Sequence, residues 1–356
     1  LYTGNPLNIE DIENQSLYEI DHIIPRSLVK DDSIDNKALV LKKCNQDKKA
    51  SYVLPPQFRN SKQKAWWKHL KDNKLMSAKK FHNLIREKYN EEDIILFGAP
   101  FDGTTSFRPG TRFGSKAIRS ESFGIETYSP YQDRDLEDLK VFDAGDLELC
   151  FGNTEKVLKD IEECTDKILE DKKLPVMIGG EHLVTLGTIR AFAKRYDDLH
   201  VVHFDAHTDL RDDYLGEKLS HATVMRRVLE IIGDKKLFQY GIRSGEKAEF
   251  EFAKKYSNLT KFDFSNLEED LKVLEGKAVY FSIDLDVLDP SEFPGTGTPE
   301  AGGVRFMELL NAILTVSKLN VVGFDIVELS PHYDNSGRST AIACKILREL
   351  LLAVGM

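Results

Sequence analysis

The hydrophobic pattern changes character near residue 91. Beyond it, near-continuous runs of Val, Ile, Leu and Phe alternate with stretches of helical period. The runs predict strands over 93–99, 140–145, 174–179, 199–204, 237–243, 259–264, 277–285 and 319–327. The periodic stretches predict helices over 154–171, 183–196, 221–232, 246–256, 305–317 and 338–353. In the first of these, Val157, Leu158, Ile161, Ile168 and Leu169 share one face. Strands this apolar, separated by helices, predict a three-layer α/β/α arrangement around a mainly parallel sheet of about eight strands. In open sheets of this kind a ligand site lies beyond the carboxyl ends of the strands.

The polar residues gather at those ends. Gly179-Gly180-Glu181-His182 follows one run, and Asp205-Ala206-His207-Thr208-Asp209 follows another. Asp284-Leu285-Asp286 and Val327-Glu328-Leu329 follow two more. Asp205, His207 and Asp209 alternate, so in an extended chain their side chains converge. A lone triplet of this kind also fits a solvated strand end. Four clusters at equivalent ends do not, because acids gathered there repel one another without a cation. His182, Asp205, His207, Asp209, Asp284 and Asp286 exceed the needs of one tetrahedral zinc and suit two metals sharing carboxylates. Their oxygen-rich chemistry favours Mn²⁺.

Residues 1–90 differ in composition. They carry 17 Lys and Arg against 11 Asp and Glu, whereas residues 91–356 carry 32 against 48. The basic excess lies in 41–90, with 14 against 3, and makes that stretch a candidate for weak nucleic-acid contact. Asp21-His22, on a short apolar run, offers one metal ligand and one general base; a buried His beside a solvated Asp gives the same pattern. Asn36 and Asn45 follow, then Trp66, Trp67, His69 and a Lys-rich helical stretch to about Arg86.

Four scattered cysteines without a C-x-x-C pair argue against a disulfide framework and fit a reducing cytoplasm. No apolar run approaches the roughly 20 residues of a membrane span, and no signal-like segment opens the chain. An opening Leu1 rather than Met is expected of an excised piece.

The motifs of residues 92–356 resemble the ureohydrolase family of arginase, agmatinase and guanidinobutyrase. Gly-Gly-Glu-His, Phe-Asp-Ala-His-x-Asp-Leu, Ser-x-Asp-x-Asp-x-Leu-Asp-Pro and Pro-Gly-Thr-Gly-Thr-Pro-Glu-x-Gly-Gly occur in order. The stretches 101–113, 241–243 and 294–303 look most like agmatinase. This resemblance implies a trimeric or hexameric cytoplasmic hydrolase with two Mn²⁺, the first held by His182, Asp205, Asp209 and Asp284. The second would take His207, Asp205, Asp284 and Asp286. A metal-bridging hydroxide would attack the guanidinium carbon of agmatine, giving urea and putrescine for polyamine synthesis. His221 would protonate the leaving amine, and Glu328 would receive the guanidinium. Ala222 stands where many agmatinases have Gly, which leaves guanidinobutyrate and arginine open as substrates.

Residues 1–87 resemble the HNH endonuclease module of type II CRISPR effectors, on Asp21-His22-Ile23-x-Pro25-x-Ser27, Lys30-Asp31-Asp32-Ser33-Ile34-Asp35-Asn36-Lys37 and Asn45. There Asp21 and Asn45 would hold Mg²⁺, His22 would activate water and Asn36 would support the site. The guide-binding and target-binding parts of such an effector are missing, so the segment is expected to be inert or to nick weakly. The chain therefore reads as a fusion, 1–88 with 92–356. An endonuclease carried on a ureohydrolase scaffold is the rival reading, and a dead enzyme a third.

Overall fold

The computed structural model describes residues 1–3, 17–23, 34–48, 58, 60–77, 80–81, 84 and 93–355. Contacts divide the chain into two units, Leu1–Glu91 with Ala144–Glu148, and Glu92–Asp143 with Leu149–Met356.

In the first unit, β1 (Tyr18–His22) pairs antiparallel with β2 (Lys37–Leu41), and α1 (Lys42–Lys48) packs on both. The helix α2 (Ser61–Asp72) starts on Asn60, whose side chain accepts from the N–H groups of Lys62 and Gln63. It buries Trp67 in a small core with Tyr2, Ile23, Val40 and Leu84. The Lys-rich stretch expected to run helical to about Arg86 is interrupted: α2 closes at Asn73, which caps back to His69, Lys74 turns left-handed (φ 59°), and Lys80, Phe81 and Leu84 are helical again. Pro25, Arg26, Ser27 and residues 30–33 of the HNH-like motif, and the junction at 88–92, lie outside the described residues.

The second unit carries β3 (Ile94–Gly98), α3 (Gly114–Glu121), the short pair β4 (Tyr128–Ser129) and β5 (Arg134–Asp135), and the first half of β6 (Val141–Asp146), whose residues from Ala144 group with the first unit. Then come α4 (Thr154–Glu170), β7 (Leu174–Ile178), α5 (Thr185–Ala193), β8 (Leu199–Phe204), α6 (Val224–Ile232) and β9 (Leu237–Ile242). It closes with α7 (Lys247–Tyr256), β10 (Asn258–Lys261), α8 (Leu267–Leu271), β11 (Ala278–Asp284), α9 (Phe306–Val316), β12 (Val321–Val327) and α10 (Arg338–Val354). The eight-stranded sheet runs β10-β9-β8-β11-β12-β7-β3-β6, with parallel pairing from β10 through β3. Side chains alternate across it. Val202 and Phe204 join a core with Leu309, Ile313 and Leu350, while Leu199 and Val201 join Leu158, Leu186 and Val228 on the other face. Helices therefore cover both faces, as the unbroken apolar strands predict.

Among the boundaries that differ from the hydrophobic pattern, two have a clear local cause. β10 stops at Lys261 rather than 264, because Phe262 adopts φ 72°, which a strand cannot continue through. The helix expected from 183 begins at Thr185, after a 3₁₀ turn over His182–Val184 that turns His182 toward the sheet. No described helix is long and apolar enough to cross a membrane.

Candidate active site

Register sets the site. In the parallel ladder Ile283 lies beside Phe204, Asp284 beside Val327, and Ile178 beside Ile326. The central strands thus end at one level, and the residues just after them (Asp205, Asp284, Glu328 and Gly179) emerge together. Glycine is required where the first loop passes: a Cβ on Gly180 would sit 1.9 Å from the carbonyl oxygen of Phe101.

Beyond β8 the chain does not stay extended. Asp209 is left-handed at φ 52°, so simple alternation does not deliver its carboxylate; the turn does. Asp209, Asp205 and Asp284 each place an Oδ2 atom 3.4, 3.1 and 3.2 Å from His182 Nδ1. On the other side His207 Nδ1 lies 3.4 Å from Asp205 Oδ1 and 3.1 Å from Asp286 Oδ2. Asp205 therefore turns one oxygen to each histidine. The Asp284 Oδ1 atom accepts the N–H of Asp286 at 2.8 Å, and Arg243 ties this loop down through the carbonyls of Asp286 and Glu300.

These residues fit a pair of divalent cations. Ser282 donates its hydroxyl proton to Asp325 Oδ1 at 2.7 Å, so its oxygen accepts from His182 Nε2 at 3.0 Å. A neutral His182 then has its lone pair on Nδ1, a buried atom without a hydrogen bond that faces three carboxylates. Only a proton or a cation makes that arrangement favourable. With protons alone, burial disfavours charge on His182, but Asp205 and Asp284 outweigh it and push its pKa well up. Burial and the neighbouring carboxylates likewise push Asp209 and Asp284 well up. Two divalent ions would neutralise the four carboxylates instead.

A cavity of about 270 Å³ opens onto this cluster, and Glu328 and His221 both line it. Glu328 is held in a left-handed conformation (φ 65°) by the His182 N–H, 2.7 Å from its Oε1. Burial, with Glu181 adding to it, pushes the Glu328 carboxyl up to about 8. His221 Nε2 lies 3.4 Å from Ser106 Oγ, and its Nδ1 is buried and unpartnered. Burial pushes its pKa down to about 4, which leaves the ring neutral.

Sequence patterning missed several residues around these. Glu181 accepts from Thr104 N–H and from the hydroxyls of Thr104 and Thr105, while Thr104 Oγ1 accepts the His221 N–H at 3.1 Å. His203, Gln239, Ser282 and Asp325 are all fully buried. Apart from Ser282, which opens the Ser-x-Asp-x-Asp motif, their only signal is polarity inside apolar strands.

The HNH-like residues lie on separate elements of the first unit. Asp21 and His22 end β1, Asn36 is buried just before β2, and Asn45 is on α1. Asp21 accepts from the Tyr2 hydroxyl, and the Asn36 carbonyl accepts the Ile23 N–H at 2.7 Å. Among the described residues, the groups of His, Cys and acidic side chains close enough to hold a metal are His182–His203–Asp205 and Asp205–His207–Asp286.

A family profile for HNH endonucleases matches residues 1–54. The agmatinases of Bacillus anthracis and Bacillus subtilis are each 51% identical, over 268 and 271 residues. Those alignments cover 74% and 75% of this chain and 92% and 93% of the relatives. A crystal structure from Clostridium difficile, provisionally described as an agmatinase, is 54% identical with a TM-score of 0.74, over 75% of this chain and 99% of that one. The profile of the arginase family itself spans residues 92–353, every strand of the eight-stranded sheet included, and the chain belongs to that family of hydrolases.

Proposed function

We propose that the chain hydrolyses agmatine to urea and putrescine with a bound pair of Mn²⁺ ions. The observation that carries this reading is the buried Glu328 carboxylate on a small cavity that is also lined by His182, His207, Asp209 and Asp284 of the candidate ligand set. His182, Asp205, Asp209 and Asp284 would hold one ion, and His207, Asp205, Asp284 and Asp286 the other. When bound, such a pair supplies Lewis acidity and activates water at neutral pH.

The chain's own groups do the rest. Glu328 pairs with the guanidinium, since a cation enters a buried pocket only against an anion. The His182 N–H fixes the direction of that carboxylate. His221, neutral and buried, takes up a proton and delivers it to the departing amine, with Ser106 beside its Nε2 as the route to solvent. The Thr104–Glu181 bonds hold the loop that positions the His221 backbone.

The mouth favours a cationic tail. Arg211, the basic side chain there, is already engaged by Glu246 at 3.1 Å and Glu249 at 3.5 Å, and its guanidinium lies 4.7 Å over the Tyr214 ring. A carboxylate-tailed guanidine would have to compete with both acids. A homo-oligomer, trimer or hexamer, belongs to the same reading. Urea release from agmatine, arginine and 4-guanidinobutyrate, run in parallel with a chelator control, tests it. Turnover led by agmatine and lost with chelator supports the reading. Preference for another guanidine replaces the substrate and keeps the chemistry. Turnover that survives complete metal removal refutes the chemistry.

The match over 1–54 favours a second reading for that segment alone: an HNH module from a type II CRISPR effector, inert or weakly nicking with Mg²⁺ on Asp21 and Asn45. Nicking of supercoiled plasmid, with and without Mg²⁺, tests it.

A further inference from the structure

Three imidazoles surround the Asp205 carboxylate, and two of them, His182 and His207, are already placed as metal ligands. His203 is the third. Its Nε2 lies 2.9 Å from Asp205 Oδ2, and with His182 and Asp205 it is close enough to hold an ion. Distance alone therefore leaves two roles open for it, ligand or hydrogen-bond donor. The choice changes the metal's chemistry, because a third imidazole shifts an oxygen-rich site toward zinc or iron.

The hydrogen bonds behind the ring decide. Gln239 Nε2 lies 3.1 Å from His203 Nδ1 and 2.8 Å from the Thr208 carbonyl oxygen. The other end of that amide, Oε1, accepts the Ser257 hydroxyl at 3.2 Å. Turning the amide over would set Oε1 against the Thr208 carbonyl and leave Nε2 facing a hydroxyl, so its orientation is set. An amide N–H must then point at His203 Nδ1, which accepts it. A neutral imidazole has one proton, and it is left on Nε2.

We propose that His203 is a positioning residue for Asp205 and not a metal ligand: Gln239 makes its Nδ1 an acceptor, and Nε2–H is donated to Asp205 Oδ2. This rests on the reading of Asp205 as a shared metal ligand. The Asp205 carboxylate is then steered from both ends, by His203 at Oδ2 and by the His207 N–H, 2.5 Å from Oδ1. Ser257, Gln239, His203 and Asp205 form one directed chain of bonds, from the residue before β10 through β9 and β8 to the residue after β8. All four side chains are buried, so water replaces none of these bonds cheaply.

Three variants test it: His203→Gln, which keeps a donor near the Nε2 position, His203→Leu, which removes it, and Gln239→Leu, which frees Nδ1. Mn²⁺ affinity is read by chelator competition, ions per chain by elemental analysis, and the imidazole count by the visible spectrum of the Co²⁺-loaded protein. The proposal expects about 10–100-fold weaker affinity in His203→Leu, and most of that recovered in His203→Gln. It expects an unchanged Co²⁺ spectrum in His203→Gln and an unchanged ion count at saturation in all three.

Gln239→Leu separates the two roles by sign. If His203 only orients Asp205, releasing Nδ1 weakens metal binding; if it is a ligand, releasing Nδ1 frees Nε2 of its proton and tightens binding. Tighter binding in Gln239→Leu, an ion lost in His203→Leu, or a spectrum altered in His203→Gln overturns the proposal. Melting of the metal-free proteins identifies a purely structural defect, which would lower Tm without separating His203→Gln from His203→Leu in affinity; that result also overturns it. Wild-type protein that binds no metal would instead overturn the site assignment beneath it.

Discussion

Two strands in this chain lead into an acid and a histidine, β1 at its own end and β8 just beyond its end, and they lead to different places. β1 delivers Asp21 and His22 from a two-stranded antiparallel sheet, where Asp21 accepts the Tyr2 hydroxyl. β8 delivers Asp205 and His207 from the interior of an eight-stranded, mainly parallel sheet, flanked by β9 and β11. Parallel neighbours end at the same level, so each adds its own side chains at the same edge. In the body that assembles four Asp carboxylates and two histidines, a concentration of buried charge that only protons or cations balance. The lesson is that a local Asp–His pair predicts little, and the number of aligned strand ends around it predicts much.

The largest expected effect comes from unbalancing that edge. Asp284→Ala removes one of the three carboxylates facing His182, and turnover should fall by roughly a thousandfold or more, with bound metal falling too. Full activity with a full metal complement would break the comparison. Next is Glu328→Gln, which keeps the shape and removes the charge. It should raise KM or lower kcat/KM by roughly 100-fold while metal content stays the same, because a buried cation loses its partner. Steady-state kinetics and elemental analysis separate the two outcomes.

A smaller effect follows from Glu181, whose charge raises the Glu328 pKa after burial has done so. Glu328 must be ionised to bind a guanidinium, so kcat/KM rises as pH passes through its pKa. Removing the like charge in Glu181→Gln lowers that pKa, and the acid limb of the profile should move to lower pH. A limb that moves up, or stays, contradicts the electrostatics. Gly180→Ala tests the close approach of the first loop. The clash with the Phe101 carbonyl should cost about 1–3 kcal/mol and lower Tm, and a Tm equal to wild type would show that the loop gives way. The smallest effect is expected from limited proteolysis. Cleavage near 88–92 should release a stable body with urea release unchanged, whereas dominant cuts inside 100–350 would contradict a boundary there.

Much of this was legible in the chain. The apolar runs located all eight strands of the sheet, and the acids after four of them located the site. Alternation alone misled at Asp209, because no residue type announces that an Asp will turn left-handed. The strand length at β10 was overcalled for the same reason, at Phe262. His203, Gln239 and Asp325 each read as one polar residue in an apolar strand, and Ser282 reads as a motif position without a role. Their meaning lies in partners 36 to 43 positions away, as for Gln239 with His203 and Ser282 with Asp325, and only register brings those together. In the first unit the HNH-like spacing was readable, but its residues are spread over β1, the turn before β2, and α1, and spacing does not fix their geometry.

The central claim is that the chemistry belongs to the aligned strand ends of the body. The most direct test is to titrate metal-free protein with Mn²⁺ while following both bound metal and urea release from agmatine. The account predicts that turnover appears as about two ions bind per chain and that Asp205→Ala loses both together. Turnover that persists in Asp205→Ala, or that needs no metal, would contradict it.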